Sequence, residues 1–118
     1  MRRLISILLL CLPLYGSAQS MTMVEPYSYD GPSIVVIQIN AEWNDYNTRR
    51  DLQKLRGCEY RFGLLSSQPE HIQKSISAVP LVVVYRDGQV AYQFAADISF
   101  KLGTPFEEIQ KVVWDLKQ

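Results

Sequence analysis

Side chains that could serve as nucleophiles, bases or metal ligands are few in this sequence of 118 residues. Cys11 and Cys58 are its two cysteines, and His71 is its only histidine. A catalytic cysteine needs a neighbouring base, and a second thiol if it is to exchange disulfides. Nothing in the sequence places His71 beside Cys58, and no His, Cys or Asp-rich group has metal-ligand spacing. We therefore expect neither a metal site nor a small-molecule cofactor.

Two carboxylates, Glu42 and Asp45, lie three residues apart at a predicted strand-to-helix junction. Acid–base catalysis by this pair would need a cleft that raises the pKa of one of them. A carboxylate in the first turn of a helix is instead stabilised in its charged form by the helix dipole. We interpret both as solvated structural residues.

Four strands are predicted from hydrophobic patterning. The apolar, β-branched runs 34–39 and 81–85 are typical of strands buried on both faces. Residues 59–65 alternate between apolar and polar side chains. Asp87-Gly88 favours a two-residue hairpin turn, after which 90–94 returns antiparallel to the preceding strand.

Three helices are predicted between and after these strands. Asn44 would cap a helix from Asp45 to about Arg56, and Pro69 would open a short second helix. Thr104 as cap, with Pro105 at the first helical position and Glu107 completing a capping box, marks the last helix. The apolar stripe of that helix consists of Phe106, Ile109, Val112, Val113 and Leu116. The order β-α-β-α-β-β-α predicts an α/β domain, a mixed sheet with helices on both faces.

This order and three local features resemble the thioredoxin-like family over roughly residues 33–117. Residues 41–47 read Ala-Glu-Trp-Asn-Asp-Tyr-Asn after the first buried strand, where thioredoxins have Ala-Glu-Trp-Cys-x-x-Cys. Ala78-Val79-Pro80 matches the family's cis-proline loop, which faces the redox site. The Asp87-Gly88 hairpin is followed by an amphipathic helix, as in the family. The resemblance implies a three-layer α/β/α fold and a cis peptide bond before Pro80.

The departure from the family pattern bears on function. Asn44 and Asn47 stand at the two thiol positions, and an amide cannot ionise to a nucleophile or form a disulfide. The family's oxidoreductase activity is therefore not implied, and we expect a protein that is not an enzyme. Asn44 as a helix cap and Asn47 as a polar first-turn residue remain the simplest structural interpretation.

The resemblance also implies a surface that binds extended polypeptide without a catalytic side chain. The residues of this predicted partner-binding surface are Trp43, Asn44, Asp45, Tyr46, Asn47, Val79 and Pro80. Exposed aromatic side chains give much contact area at low entropy cost. Packing of Trp43 beneath the loop is the alternative.

Residues 1–18 have the pattern of a secretory signal peptide: Arg2 and Arg3, an apolar run over 4–14, and small residues up to Ala18. That run would rise about 16 Å as a helix, against a hydrocarbon core of about 30 Å. We therefore expect cleavage near Ala18 and a secreted or periplasmic chain without a membrane span. Residues 19–33 would form an arm or one short strand, and 34–118 the thioredoxin-like domain.

Composition and charge limit the classes of partner that are expected. A content of 47% hydrophobic and 20% charged residues is that of an ordinary folded domain. Twelve Lys and Arg balance twelve Asp and Glu, so no global field favours nucleic acid. Cleavage leaves Cys58 as the single cysteine, either buried and inert or available as an intermolecular thiol.

The sequence thus predicts a non-catalytic secreted or periplasmic domain that binds a protein or peptide partner, either alone or within a larger assembly. Two alternatives stay open. One is a thiol-dependent oxidoreductase or isomerase that uses Cys58 alone. The other is a purely structural subunit of a surface or virion assembly, joined through the aromatic arm.

Overall fold

The computed structural model describes residues 33–118, so the predicted signal peptide, Cys11 and residues 19–32 of the predicted arm lie outside the described part. The strands are β1 (Ile34–Asn40), β2 (Glu59–Leu64), β3 (Leu81–Arg86) and β4 (Gln89–Ala95), the α-helices are α1 (Glu70–Ser75) and α2 (Phe106–Leu116), and 3₁₀ segments span Glu42–Asn47, Arg50–Lys54 and Leu65–Ser67. No helix in the described part is both long enough and apolar enough to cross a membrane.

The four strands form one mixed sheet in the order β2-β1-β3-β4. β1 pairs parallel with β2 and antiparallel with β3, and β3 pairs antiparallel with β4. Asp87 and Gly88, with φ of 52° and 87°, turn the chain between β3 and β4. These positive angles are those of a type I′ hairpin turn, which Asp-Gly favours. The predicted hairpin and α/β class are confirmed.

The sheet is covered on both faces because successive side chains of a strand alternate between them. From β1, Ile34 and Val36 face a core cluster that contains Ile109 and Val113 of α2. Val35, Ile37 and Ile39 face a second cluster that contains Ile72 of α1. All seven residues of β1 are buried, which accounts for the continuous apolar run in the sequence.

The predicted helix from Asp45 to about Arg56 is wrong. Two short 3₁₀ segments, Glu42–Asn47 and Arg50–Lys54, take its place. The backbone N–H of Arg49 donates to Gln38 Oε1 at 2.8 Å, and Gln38 Nε2 donates to the Arg49 carbonyl at 3.0 Å. The buried Gln38 therefore takes both backbone groups that a continuous helix would have used.

The predicted capping box of the last helix is also wrong. Pro105 is the N-cap residue rather than the first helical residue, in an extended conformation and without a side-chain cap. The Thr104 carbonyl accepts a hydrogen bond from Arg49 Nη1 at 2.6 Å. The predicted apolar stripe is sound, since Ile109 and Val113 are fully buried.

Candidate functional site

A cluster of amides follows the end of β1, where the resemblance placed a redox site. Asn40 Nδ2 donates to the Asn44 carbonyl at 3.0 Å and to Thr48 Oγ1 at 2.8 Å. Asn44 Nδ2 donates to Asn40 Oδ1 at 3.0 Å, and Asn47 Nδ2 donates to Asn44 Oδ1 at 2.8 Å. Of the two asparagines at the positions where the resemblance has thiols, Asn47 thus bonds to Asn44, and Asn44 bonds to Asn40, the last residue of β1.

Asn44 also joins two distant loops. Its Nδ2 donates to the Phe100 carbonyl at 3.0 Å and, more weakly, to the Val79 carbonyl at 3.3 Å. Its side chain makes no helix-capping hydrogen bond, and only 1% of its surface is exposed. The expected cap role of Asn44 is therefore wrong, because its Oδ1 accepts from the side chain of Asn47 rather than from a backbone N–H.

Val79 and Pro80 lie beside Asn44, and the peptide bond between them is cis, as the resemblance implies. Both residues are buried. The Val79 carbonyl accepts from Asn44, and the Pro80 carbonyl accepts from the Ala96 N–H at 3.1 Å. A partner that paired with the backbone here would have to displace these internal bonds, so the exposed side chains nearby are better placed to meet it.

Three of those exposed side chains are aromatic and one is aliphatic. Trp43 is 62% exposed and Tyr46 82% exposed, both on the turn Glu42–Asn47. The ring of Trp43 meets that of Phe100 edge to face, with centroids 5.0 Å apart. Phe100 is itself exposed, as is Ile98 two residues earlier. We call Trp43, Tyr46, Ile98 and Phe100 the aromatic surface.

Sequence reasoning missed Ile98 and Phe100. They belong to the loop between β4 and α2. Asn44, 56 residues before Phe100 in the sequence, donates a hydrogen bond to the Phe100 carbonyl in this loop. Phe100 has a φ of +63°, which is uncommon for a bulky side chain and typical of functional loops. No local pattern in the sequence indicates that angle.

Two open clefts adjoin the turn Glu42–Asn47. One, of roughly 370 Å³, is lined by Ala41, Glu42, Trp43, Leu65, Ser66 and Gln73. The other, of roughly 450 Å³, is lined by Asp45, Thr48, Arg50, Gln53, Tyr60 and Phe62. We call the first the Trp43 cleft. Neither contains a thiol or an imidazole.

The carboxylates are arranged as solvated groups. Glu42 and Asp45 are both exposed, and Asp45 pairs with Arg50 at 3.2 Å on the surface. An exposed ion pair of this kind contributes little to stability. Neither residue lies in an enclosed cleft that would suit acid–base catalysis.

Cys58 lies at the opposite end of β1 from Asn44. It precedes Glu59, which pairs with Val35 at the start of β1, whereas Asn44 follows the end of that strand. At about 3.3 Å per residue, β1 separates the two positions by roughly 20 Å. Cys58 therefore does not contribute to the amide cluster.

Cys58 and His71 lie on different faces of the sheet. Cys58 packs against the cluster on the α2 face, and His71 is exposed on α1, which packs on the other face through Ile72. They do not form a dyad. Within residues 33–118, no three His, Cys, Asp or Glu side chains are grouped so that they could hold a metal ion.

We expect Cys58 to react slowly with alkylating reagents. Burial raises the pKa of its thiol to about 11, although Lys117 partly opposes this shift. Only the thiolate reacts, so alkylation by iodoacetamide should be slow at pH 8 and accelerate towards pH 11. Because the pKa of Cys58 is higher in the folded chain than in the unfolded one, Cys58 should favour the folded state below pH 9 and lose that contribution as pH rises through 11.

The alkylation rate is measured by intact mass after timed reaction, with the urea-unfolded chain as control. Equal rates for the folded and unfolded chains at pH 8 would contradict the expectation.

No protein-family model matches this sequence, and no curated protein matches it either.

Proposed function

We propose that this chain is a redox-inactive, thioredoxin-like domain that is exported and binds a protein or peptide partner through the aromatic surface. One observation carries the proposal. The two asparagines at the thiol positions are tied into a network with buried carbonyls, whereas Trp43 and Tyr46 on the same turn are left in solvent.

The sheet topology supports the family part of the proposal. A parallel pair, β1 and β2, is joined to an antiparallel hairpin, β3 and β4, in the order β2-β1-β3-β4. The turn with Trp43 follows β1. The cis bond before Pro80 precedes β3 and lies beside that turn. These are the relative positions that the resemblance implies for a redox turn and its proline loop.

The chemistry of the turn supports a non-catalytic role. Carboxamides neither ionise to nucleophiles nor form disulfides, and Cys58 lies at the far end of β1 with a raised pKa. The alternative enzyme, which uses Cys58 alone, would need an exposed thiolate and a resolving thiol. The protein should therefore show no turnover of a disulfide substrate.

Partner binding is supported by the exposure of Trp43 and Tyr46 and by the hydrogen bonds that order the turn on which they lie. Trp and Tyr are the residues that most often dominate binding energy at protein interfaces. The side chain of Asn44, the residue after Trp43, is held by hydrogen bonds to the Asn40 side chain and to the Phe100 carbonyl of the neighbouring loop. A surface that is ordered before binding loses less entropy when a partner arrives.

A site-specific photo-crosslinker tests the proposed surface. With p-benzoylphenylalanine in place of Tyr46 in the native host, we expect one discrete adduct after irradiation. The same probe at Tyr92, an exposed residue of β4, should give none. Adding Trp43→Ala should abolish the adduct, whereas Trp114→Ala, which removes an exposed tryptophan of α2, should leave it.

Two outcomes would count against the binding proposal. One is equal labelling from positions 46 and 92, which would indicate random collision rather than a surface. The other is an adduct that survives Trp43→Ala, which would place the partner elsewhere. Steady disulfide reductase turnover by the purified protein would contradict the redox-inactive part separately.

A further inference from the structure

Two features with apolar surface lie beside Trp43. One is Ile98, an aliphatic side chain that is 97% exposed in the loop between β4 and α2. The other is the Trp43 cleft, whose apolar walls are Ala41, Trp43 and Leu65. Trp43 lies between the two features, because its ring contacts Phe100 in the loop of Ile98 and also lines the cleft.

The loop that carries Ile98 is held in one shape. The Ser99 N–H donates to Asp97 Oδ1 at 2.8 Å, and the Asp97 N–H donates to the Lys101 carbonyl at 3.3 Å. The Phe100 carbonyl is fixed by Asn44. Ile98 is therefore presented as a rigid knob, and a rigid knob loses little entropy when it enters a pocket.

We propose that the partner of the aromatic surface is a second copy of this chain, in a two-fold dimer in which Ile98 of each subunit fills the Trp43 cleft of the other. The proposal rests on the binding function above and names its partner. A two-fold axis beside Trp43 exchanges the two features, so that each knob meets the opposite cleft and the contact closes on itself.

The charges around the two features suit such an exchange. Asp97 and Lys101 flank the knob, and both are exposed. Glu42 lines the cleft. In a two-fold contact, Lys101 of one subunit can therefore face Glu42 of the other.

Other occupants fit this end of the molecule less well. A small ligand would use a concave site, which leaves the protruding Ile98 without a role. A membrane surface with anionic lipids attracts clusters of basic residues, whereas the charges here are mixed: Asp97 and Lys101 flank the knob, and Asp45 of the turn pairs with Arg50. A protein with a matching cleft accounts for both features, and this chain has one.

Sedimentation velocity of the protein as its host exports it tests the dimer. We expect the wild-type chain to show a concentration-dependent dimer, and Ile98→Asp to be monomeric over the same range, with at least a hundredfold weaker association. Ile98→Val keeps an apolar knob and should remain dimeric. Because Ile98 of the single chain lies in solvent, all three chains should melt at the same temperature when they are diluted until the wild type is monomeric.

A second pair of variants tests the cleft independently. Ser66→Arg would fill the Trp43 cleft and should abolish the dimer, whereas Ser67→Arg, at an exposed residue that does not line the cleft, should not. An equimolar mixture of Ile98→Asp and Ser66→Arg chains should regain a weak heterodimer. The knob of the second chain and the cleft of the first are both intact, so one of the two contacts can form.

Three results would overturn the dimer. They are a wild-type chain that stays monomeric up to about 1 mM, a dimer that Ile98→Asp leaves unchanged, and flotation of the wild-type monomer with vesicles of phosphatidylcholine and phosphatidylglycerol. The crosslinker at position 46 separates this failure from that of the proposed function. A monomeric chain that still gives an adduct with another protein retains the binding function, whereas a monomer without an adduct loses both.

Discussion

Replacement of Val113 by aspartate is expected to unfold the domain. Val113 is 0% exposed and lies in the core between α2 and the sheet, with Val36, Val84 and Ile109. A carboxylate there would lose its hydration, and the apolar side chains around it offer no hydrogen bond. We expect a loss of more than about 4 kcal/mol, a large part of the total stability of a domain of this size.

The measurement is urea unfolding followed by circular dichroism, with two controls on the same helix. Val113→Ala removes the same packing without adding charge and should cost about 2 kcal/mol. Val112→Asp, at the neighbouring partly buried position, should cost clearly less than Val113→Asp, because the carboxylate can reach water. Near-wild-type stability of Val113→Asp would mean that α2 packs through a different face.

The sequence predicted the sheet because strands such as β1 are specified locally. Residues Ile34 to Ile37 of β1 are all apolar because both faces of the strand are covered, and a short β-branched run of this kind is typical of a strand inside a covered sheet. The turn between β3 and β4 was equally predictable, since Asp87 and Gly88 adopt the positive φ angles that this dipeptide tolerates.

The first predicted helix failed for a nonlocal reason. The local signals over residues 45–56 are those of a helix, with buried Leu52 and Leu55 at helical spacing. The competing group is Gln38, a polar side chain inside an otherwise apolar strand, which bonds the Arg49 backbone 11 residues away. A buried amide must be satisfied, but the sequence does not show which backbone groups will satisfy it.

Of the aromatic surface, only the two residues on the turn after β1 were predictable from the sequence. Trp43 and Tyr46 follow the end of β1, so the sequence alone places them on one turn. The loop of Ile98 and Phe100 is joined to this turn by one hydrogen bond, from Asn44 to the carbonyl of Phe100, 56 residues further along the chain. Long-range contacts of this kind arise from the folded packing and leave no periodic signal in the sequence.

Replacement of Asn44 by aspartate distinguishes a helix-cap role of this residue from a role as a hydrogen-bond donor that joins two loops to the end of β1. Asparagine and aspartate are nearly equivalent as caps, so a cap would tolerate the change almost without loss. In the structure, Asn44 Nδ2 donates to the oxygens of Asn40, Val79 and Phe100. A carboxylate of the same shape would set its oxygen against all three, so we expect a loss of about 3 kcal/mol or more at neutral pH.

The pH dependence of the Asn44→Asp chain provides an internal check. Burial among acceptor oxygens would raise the pKa of the new carboxyl above its unfolded value of about 3.9. Its destabilisation relative to wild type should therefore be smallest below about pH 4 and grow as pH rises through the folded pKa. Urea unfolding from pH 3.5 to 8 measures this, with Gln53→Glu as an exposed amide-to-carboxylate control that should stay within about 0.5 kcal/mol of wild type. A loss that does not change with pH would mean that the oxygens around Asn44 do not repel the charge, and a loss near zero would restore the cap interpretation.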